Sequence, residues 1–264
     1  MTQPLVTLLT DFGLEDGYVA AMKGVLATQA PDARVVDICH QIPPQDVRRG
    51  GFVWASAVPF FPPGTIHVAV VDPGVGSRRR ILAAEAGGSL YLVPDNGILG
   101  LVLKRKEVRR VVCVGRGANF LEPLSSTFHG RDIFAPAAAY LARGGELQGL
   151  GNAVRRYAWL SAVRPSRRSL PGGRLRVKGE VLYVDRFGNA LTNLVLDPSV
   201  ALEELHCGEL SFTSLAVTYA SVPKGRPLVL VNSAGHLEVA LRDGSVAERY
   251  GIEVGAPVVA LWRR

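Results

Sequence analysis

Cysteine is sparse in this chain: Cys39, Cys113 and Cys207 are its whole complement in 264 residues. They are far apart, odd in number and free of any CxxC pair. That argues against a zinc site or a disulfide framework, and for reduced, buried thiols. No His, Cys or carboxylate cluster has metal-ligand spacing, so neither a metal nor a cofactor is expected. Long hydrophobic runs are missing too, with no stretch of about 18 apolar residues, so no membrane span is expected. The opening MTQPLVTLLTDFG has no basic stretch and reaches Asp11 early. It reads as a first strand and not as a secretory leader, and the expectation is a cytoplasmic protein. Lysine is scarce, five of the 30 basic residues. The arginines are scattered, with short clusters at 78–80, 109–110 and 167–168, and no aromatic-interleaved basic stripe accompanies them. The net charge of +7 therefore does not imply a nucleic-acid partner. The Arg bias fits a GC-rich coding sequence or heat adaptation as well as it fits phosphate binding. Internal repeats and low-complexity segments are absent.

What is present is ordinary globular material, 48% hydrophobic and 20% charged, with length enough for one large or two modest domains. The first half alternates strand-like and helix-like runs. PLVTLLTDF, RVVDICHQI and TIHVAVVDPG read as strands, while GYVAAMKGVLATQAP and DVRRGGFVWASAVPFF have helical spacing. RRILAAEAGG with SLYLVPDN reads as a strand pair, and a helix, a strand and a helix follow in GILGLVLKRK, VRRVVCVG and RDIFAPAAAYLARG. Such alternation predicts an α/β domain over 1–165, a mainly parallel sheet with helices on both faces. SAVRPSRRSLPGGRL reads as a linker. The short alternating strands after it predict an all-β, barrel-like domain over 166–264.

Ligand-binding residues of open α/β sheets lie at the carboxyl ends of strands. Three such ends carry an Asp beside Gly or Pro: Asp11 in LLTDFGLEDGY, Asp72 in VAVVDPGVGSRRR and Asp95 in YLVPDNG. One Asp of this kind is more often a turn or helix cap. Three on one sheet edge are expected to converge on one crevice, suited to a cationic or hydroxyl-rich ligand. VDPGVG matches neither GxGxxG nor a phosphate loop. Its turn would let Asp72 meet an arginine about seven residues on, although spacing alone does not say which of Arg78, Arg79 and Arg80 turns inward. His129 in SSTFHGRD either caps the helix that follows or orients and deprotonates a water beside an Asp and an Arg. In the second half, YVDRFGNALTNL and VNSAGHLEVA each read as a hairpin turn when taken singly.

Taken together, TDFG with Tyr18 downstream, VVDPGVGSRRR, VPDNG, STFHGRD, DRFGN and NSAGHLEVA resemble, in order, the motifs of the S-adenosyl-L-methionine hydroxide adenosyltransferases, kin of the fluorinases and chlorinases. The resemblance spans essentially the whole chain. It implies hydrolysis of S-adenosyl-L-methionine to adenosine and methionine by attack at ribose C5′, served by Asp72, Arg79 and His129. It assigns Asp11 to the ribose hydroxyls, with Phe12 and Tyr18 in the same motif lining the substrate. Asp185 and Asn189 match positions holding the methionine ammonium and the ribose, Phe187 an aromatic wall for adenine, and Ser233 the methionine carboxylate. Glu238 falls near the adenine end, where LRDGSVAERY departs from the family pattern. The halogenase branch has a long inserted loop and lacks the His; neither holds here, which favours water over halide. A binding module without catalysis is the alternative, set against a complete triad. The resemblance also implies a homotrimer with sites between subunits.

Overall fold

The computed structural model describes residues 3–115, 120–197 and 199–263. The chain divides into two compact units, Met1–Ala162 and Val163–Arg264.

The first unit is built on seven strands: β1 (Leu5–Thr10), β2 (Arg34–Cys39), β3 (Ile66–Val70), β4 (Ile81–Ala86), β5 (Ser89–Pro94), β6 (Val108–Val114) and β7 (Gly151–Ala153). Their order is β2-β1-β3-β5-β4-β6-β7. The β1–β2, β1–β3 and β3–β5 pairs are parallel, whereas β4–β5, β4–β6 and β6–β7 are antiparallel. The sheet is therefore mixed, and the mainly parallel sheet expected from the alternation does not hold. The reason is local. Gly87 and Gly88, at φ +58° and +80°, form a two-residue reverse turn that folds β5 straight back on β4.

Side chains alternate between two cores. On β1, Val6 and Leu8 join a cluster with Met22 and Leu26 of helix α1 (Tyr18–Gln29) and the alanines of α4 (Ala135–Ala142). Leu9 faces the other way, toward Trp54 of α2 (Val47–Ala57) and Leu99 of α3 (Leu99–Val102). Helices thus cover both faces. Asp46 caps α2, its Oδ1 accepting the Arg49 N–H at 2.9 Å. Before α4 the chain widens into one π-type turn, Gly130–Phe134. Pro136 has no N–H to give the Asp132 carbonyl, which accepts the Leu121 N–H at 3.2 Å instead.

The second unit is an eight-stranded, wholly antiparallel sheet: β8 (Ser166–Leu170), β9 (Arg174–Val184), β10 (Ala190–Val195), β11 (Ala201–Cys207), β12 (Leu210–Phe212), β13 (Pro227–Val231), β14 (His236–Leu241) and β15 (Pro257–Arg263). Its order is β12-β11-β15-β9-β10-β14-β13, with β8 against β9. The sheet curls nearly into a barrel, since Ala216, just beyond β12 at one end, bridges Leu230 of β13 at the other. Val177, Val181, Leu194, Val239 and Trp262 fill its interior. Arg167 and Arg168, expected in a linker, lie instead on β8, an exposed edge strand. Gly172 and Gly173, both left-handed at φ +74° and +72°, turn that strand back onto β9. One helix, α5 (Val246–Tyr250), starts at Ser245, whose Oγ accepts the Glu248 N–H at 3.1 Å.

Candidate active site

In the first unit the chain leaves β1 for β2 on one side and returns to β3 on the other. That reversal opens a crevice at the carboxyl ends of β1 and β3. Asp11 and Asp72 follow those two ends, Thr10 and Val70 being in register. Asp11 accepts the Gln45 N–H at 2.7 Å, and Gln45 holds a left-handed φ of +66° to present it. Burial raises the Asp11 carboxyl pKa, the Gln45 N–H offsets part of that, and the charge on Asp72 adds to the rise.

Asp72, Arg79 and His129 are in contact. Arg79 Nε donates to Asp72 Oδ1 and Oδ2 at 3.0 and 2.8 Å, and its Nη2 pairs with Oδ2 as well. The same Nη2 lies 2.8 Å from His129 Nδ1. The carboxylate and guanidinium side chains are only 5% and 11% exposed. A shielded pair of this kind attracts far more strongly than one in water. Two glycines permit the meeting. A Cβ on Gly74 would come 2.9 Å from Arg79 Cγ. One on Gly76, left-handed at φ +76°, would come 2.5 Å from the Ser126 carbonyl oxygen. The neighbouring arginines go elsewhere: Arg78 is exposed, and Arg80 Nε donates to Asp95 Oδ2 at 2.8 Å. Asp95 Oδ1 takes the Ala158 N–H at 2.7 Å. Asp95 therefore fastens the 156–160 segment and does not join the crevice, contrary to the three-carboxylate expectation.

His129 opens the π-type turn, and Asp132 lies beneath it, fully buried. Burial opposes the Asp132 charge, but Arg131 at 2.6 Å and the Ser125 N–H at 2.7 Å outweigh it and hold the carboxyl below its usual range. Burial, and then the charge of Arg79, lower the His129 pKa against the opposing pull of Asp72 and Asp132. Phe12, Tyr18 and Phe128 form an edge-to-face triangle with centroids 5.2 to 6.0 Å apart. Gly130 lies so close that a Cβ there would stand 3.1 Å from the Phe12 ring. The TDFG and FHGRD motifs thus fit against each other.

In the second unit Asp185 organises the turn between β9 and β10. Its Oδ1 accepts the Phe187 and Asn189 N–H groups, both at 2.9 Å, and its Oδ2 accepts Asn189 Nδ2 at 3.1 Å. Asn189 is buried, and Phe187 stands 76% exposed. These two residues line a cleft of ≈ 720 Å³ with Tyr219, Arg242, Asp243 and Ser245. Glu238 is buried and accepts the Tyr219 O–H at 2.6 Å. Burial raises its pKa, and the Asp185 charge raises it further. Ser233 is exposed at the tip of the β13–β14 hairpin. There Asn232 Oδ1 ties the turn by accepting the Ala234 and His236 N–H groups at 3.0 Å.

Sequence reasoning missed Tyr219, to which it gave no role, and Gln45, whose contribution is a backbone N–H. It also assigned nothing to the Arg242–Ser245 turn, although Ser245 and Glu248 carry the spacing of a capping box. Among the described residues no group of three or more His, Cys, Asp or Glu is arranged to hold a metal ion, and no helix is long and apolar enough to cross a membrane.

The chain thus joins a mixed α/β unit, with an Asp–Arg–His cluster at its strand ends, to a curled antiparallel unit that carries a cleft, and architecture of this kind defines a class by fold and site. Family comparison makes the class specific. The description "SAM hydroxide adenosyltransferase" matches as an N-terminal domain over residues 6–151 and as a C-terminal domain over 179–259. The (R)-S-adenosyl-L-methionine hydrolase of Thermus thermophilus is 42% identical over 260 residues, covering 96% of this chain and 98% of that protein. A solved structure of an uncharacterized conserved protein from Thermotoga maritima superposes with a TM-score of 0.86 at 31% identity, covering 98% of this chain and all of that one. At greater distance, the fluorinase of Actinopolyspora mzabensis is 26% identical over 294 residues, 97% of each chain. The chain belongs to the S-adenosyl-L-methionine hydroxide adenosyltransferase family.

Proposed function

We propose that this protein hydrolyses S-adenosyl-L-methionine to adenosine and L-methionine, with hydroxide attacking ribose C5′. The observation that carries the reading is the Asp72–Arg79–His129 contact at the carboxyl edge of the first unit, in a chain of this family. A sulfonium leaves as a neutral thioether, so the leaving group needs no acid. The demand is on the nucleophile, which must be aligned with C5′ and freed of solvent. Arg79, held by Asp72, supplies a fixed positive charge where the attacking oxygen is anionic.

Asp11 is assigned to the ribose cis-hydroxyls, which a carboxylate can accept in pairs. Phe12 and Tyr18 provide the apolar wall beside it. In the second unit Asp185 and Asn189 are assigned to the methionine ammonium and the ribose, Phe187 to the adenine face and Ser233 to the methionine carboxylate. Glu238 is assigned to the adenine end. The first unit then supplies the ribose and water residues and the second completes the ligand site. The same reading includes a homotrimer whose sites lie between subunits, a cytoplasmic protein, and catalysis with no cofactor beyond the substrate.

Reaction in water enriched in heavy oxygen tests the proposal. Mass spectrometry should find the label in the 5′-hydroxyl of adenosine and none in methionine. Unlabelled adenosine, or free adenine as the base product, would overturn it. High chloride should yield little 5′-chloro product.

A further inference from the structure

The contact between Arg79 and His129 fixes where the imidazole proton is. A guanidinium has five N–H donors and no acceptor. At 2.8 Å from Arg79 Nη2, His129 Nδ1 must therefore offer a lone pair. A protonated ring would set N–H against N–H at that distance. The imidazole is neutral, its one proton is on Nε2, and Nε2 is the only ring nitrogen left for a ligand. We infer that His129 acts on the nucleophile as a hydrogen-bond donor through Nε2–H, and that it is not the base that deprotonates water.

This inference rests on the hydrolase reading and gives it a direction. Asp72 is no substitute base, because Arg79 occupies both its oxygens and Oδ1 also accepts the Gly74 N–H at 3.2 Å. The cluster keeps N–H groups on Arg79 and His129 to offer, while these contacts take up the lone pairs of the Asp72 carboxylate and of His129 Nδ1. It is built to bind an anion already formed. Hydroxide enters, its oxygen forms the bond to C5′, the C5′–S bond breaks, and the electron pair stays on sulfur as neutral methionine. The proton lost when water became hydroxide goes to solvent, one for each turnover. A ring with Nδ1 protonated and Nε2 free could serve as a base, but Arg79 excludes that tautomer. The lowered pKa of His129, caused by burial and by Arg79, agrees with a ring that stays neutral.

Two substitutions separate donor from base. Glutamine keeps an acceptor for Arg79 and an N–H donor, yet it cannot take up a proton; leucine keeps neither. His129→Gln should retain kcat within about tenfold of wild type, while His129→Leu should lose ~10²- to 10³-fold, the range for removing one donor to an oxyanion. If the Gln variant falls as far as the Leu variant while substrate still binds, the donor role is overturned. An independent readout is the ring itself. Long-range proton–nitrogen correlation on protein labelled with ¹⁵N-histidine should show Nδ1 bare and Nε2 protonated for His129, identified by its loss in His129→Gln. A proton on Nδ1 would overturn the inference whatever the activity. Failure of wild type to form adenosine would count against the hydrolase reading and leave the tautomer to be judged by the spectrum.

Discussion

Arg78, Arg79 and Arg80 are adjacent in sequence and part company in space. The sequence marks all three as candidates, and only the turn through Gly74 and Gly76 decides which one reaches Asp72. Arg79→Ala should lose roughly 100-fold or more in kcat with substrate still bound, whereas Arg78→Ala should stay within about twofold, since exposed side chains contribute little. Arg80→Ala should register mainly in thermal stability, by releasing Asp95 and the segment it fastens. Steady-state kinetics and melting curves on the three variants distinguish these outcomes. Another residue-scale prediction lies away from the site. His67 is buried against Thr7, Nδ1 to Oγ1 at 2.9 Å, and stacked on Tyr91, and burial lowers its pKa to about 4. The free imidazole value is near 6.5, so between the two the unfolded chain binds more protons than the folded one. The His67 contribution is therefore complete above pH 6.5, declines as pH falls and is lost by about pH 4. The difference amounts to on the order of 3 kcal/mol. Between pH 7 and 4 the unfolding free energy of wild type should fall by about that much more than that of His67→Phe, which keeps a ring and cannot titrate. Equilibrium denaturation across this range checks it.

Among the elements, β1 and β3 were legible as short, continuous apolar runs bounded by turn residues, and α1 and α2 as longer stretches with helical spacing. The mixed direction of the first sheet was not, because the overall alternation of strands and helices outweighed the strand pair read in RRILAAEAGG and SLYLVPDN, whose Gly-Gly turn makes it antiparallel. The supposed linker failed for the opposite reason. Arg, Ser and Pro describe exposure, and an edge strand is as exposed as a linker. Gly76 lies where two elements meet, the 72–79 turn and the 125–129 loop. Gly76→Ala would force a left-handed residue and bring a Cβ 2.5 Å from a backbone oxygen. It should cost on the order of 1–3 kcal/mol and should lower kcat by separating Arg79 from His129. Gly87→Asn, at a left-handed hairpin position where a Cβ meets nothing within 4 Å, should cost less than about 1 kcal/mol. Paired melting curves and kinetics on the two variants test the contrast.

For the whole molecule, the sequence could name the motifs of both units and could not say how copies assemble, because the motifs carry ligand chemistry and no interface signature. The proposed trimer makes a countable prediction. Asp11→Ala disables the first unit's share of a site and Asn189→Ala the second unit's. When the two inactive chains are co-expressed equally and assemble at random in a head-to-tail ring, about a quarter of the interfaces join two intact halves. Activity should recover to roughly that fraction of wild type. If each chain completes its own site, none returns, and light scattering that reports a monomer excludes the ring.

The left-handed backbone at Gln45 sets two kinds of selection against each other. A residue with a Cβ is less comfortable at φ +66° than glycine would be, by ~1 kcal/mol. Glycine would also loosen the N–H that steadies Asp11. Lineages selected only for survival of heat should drift toward Gln45→Gly, while lineages selected for turnover at low substrate should keep a side chain there. Position 45 would then record which pressure a population had experienced, although its side chain lies outside the chemistry.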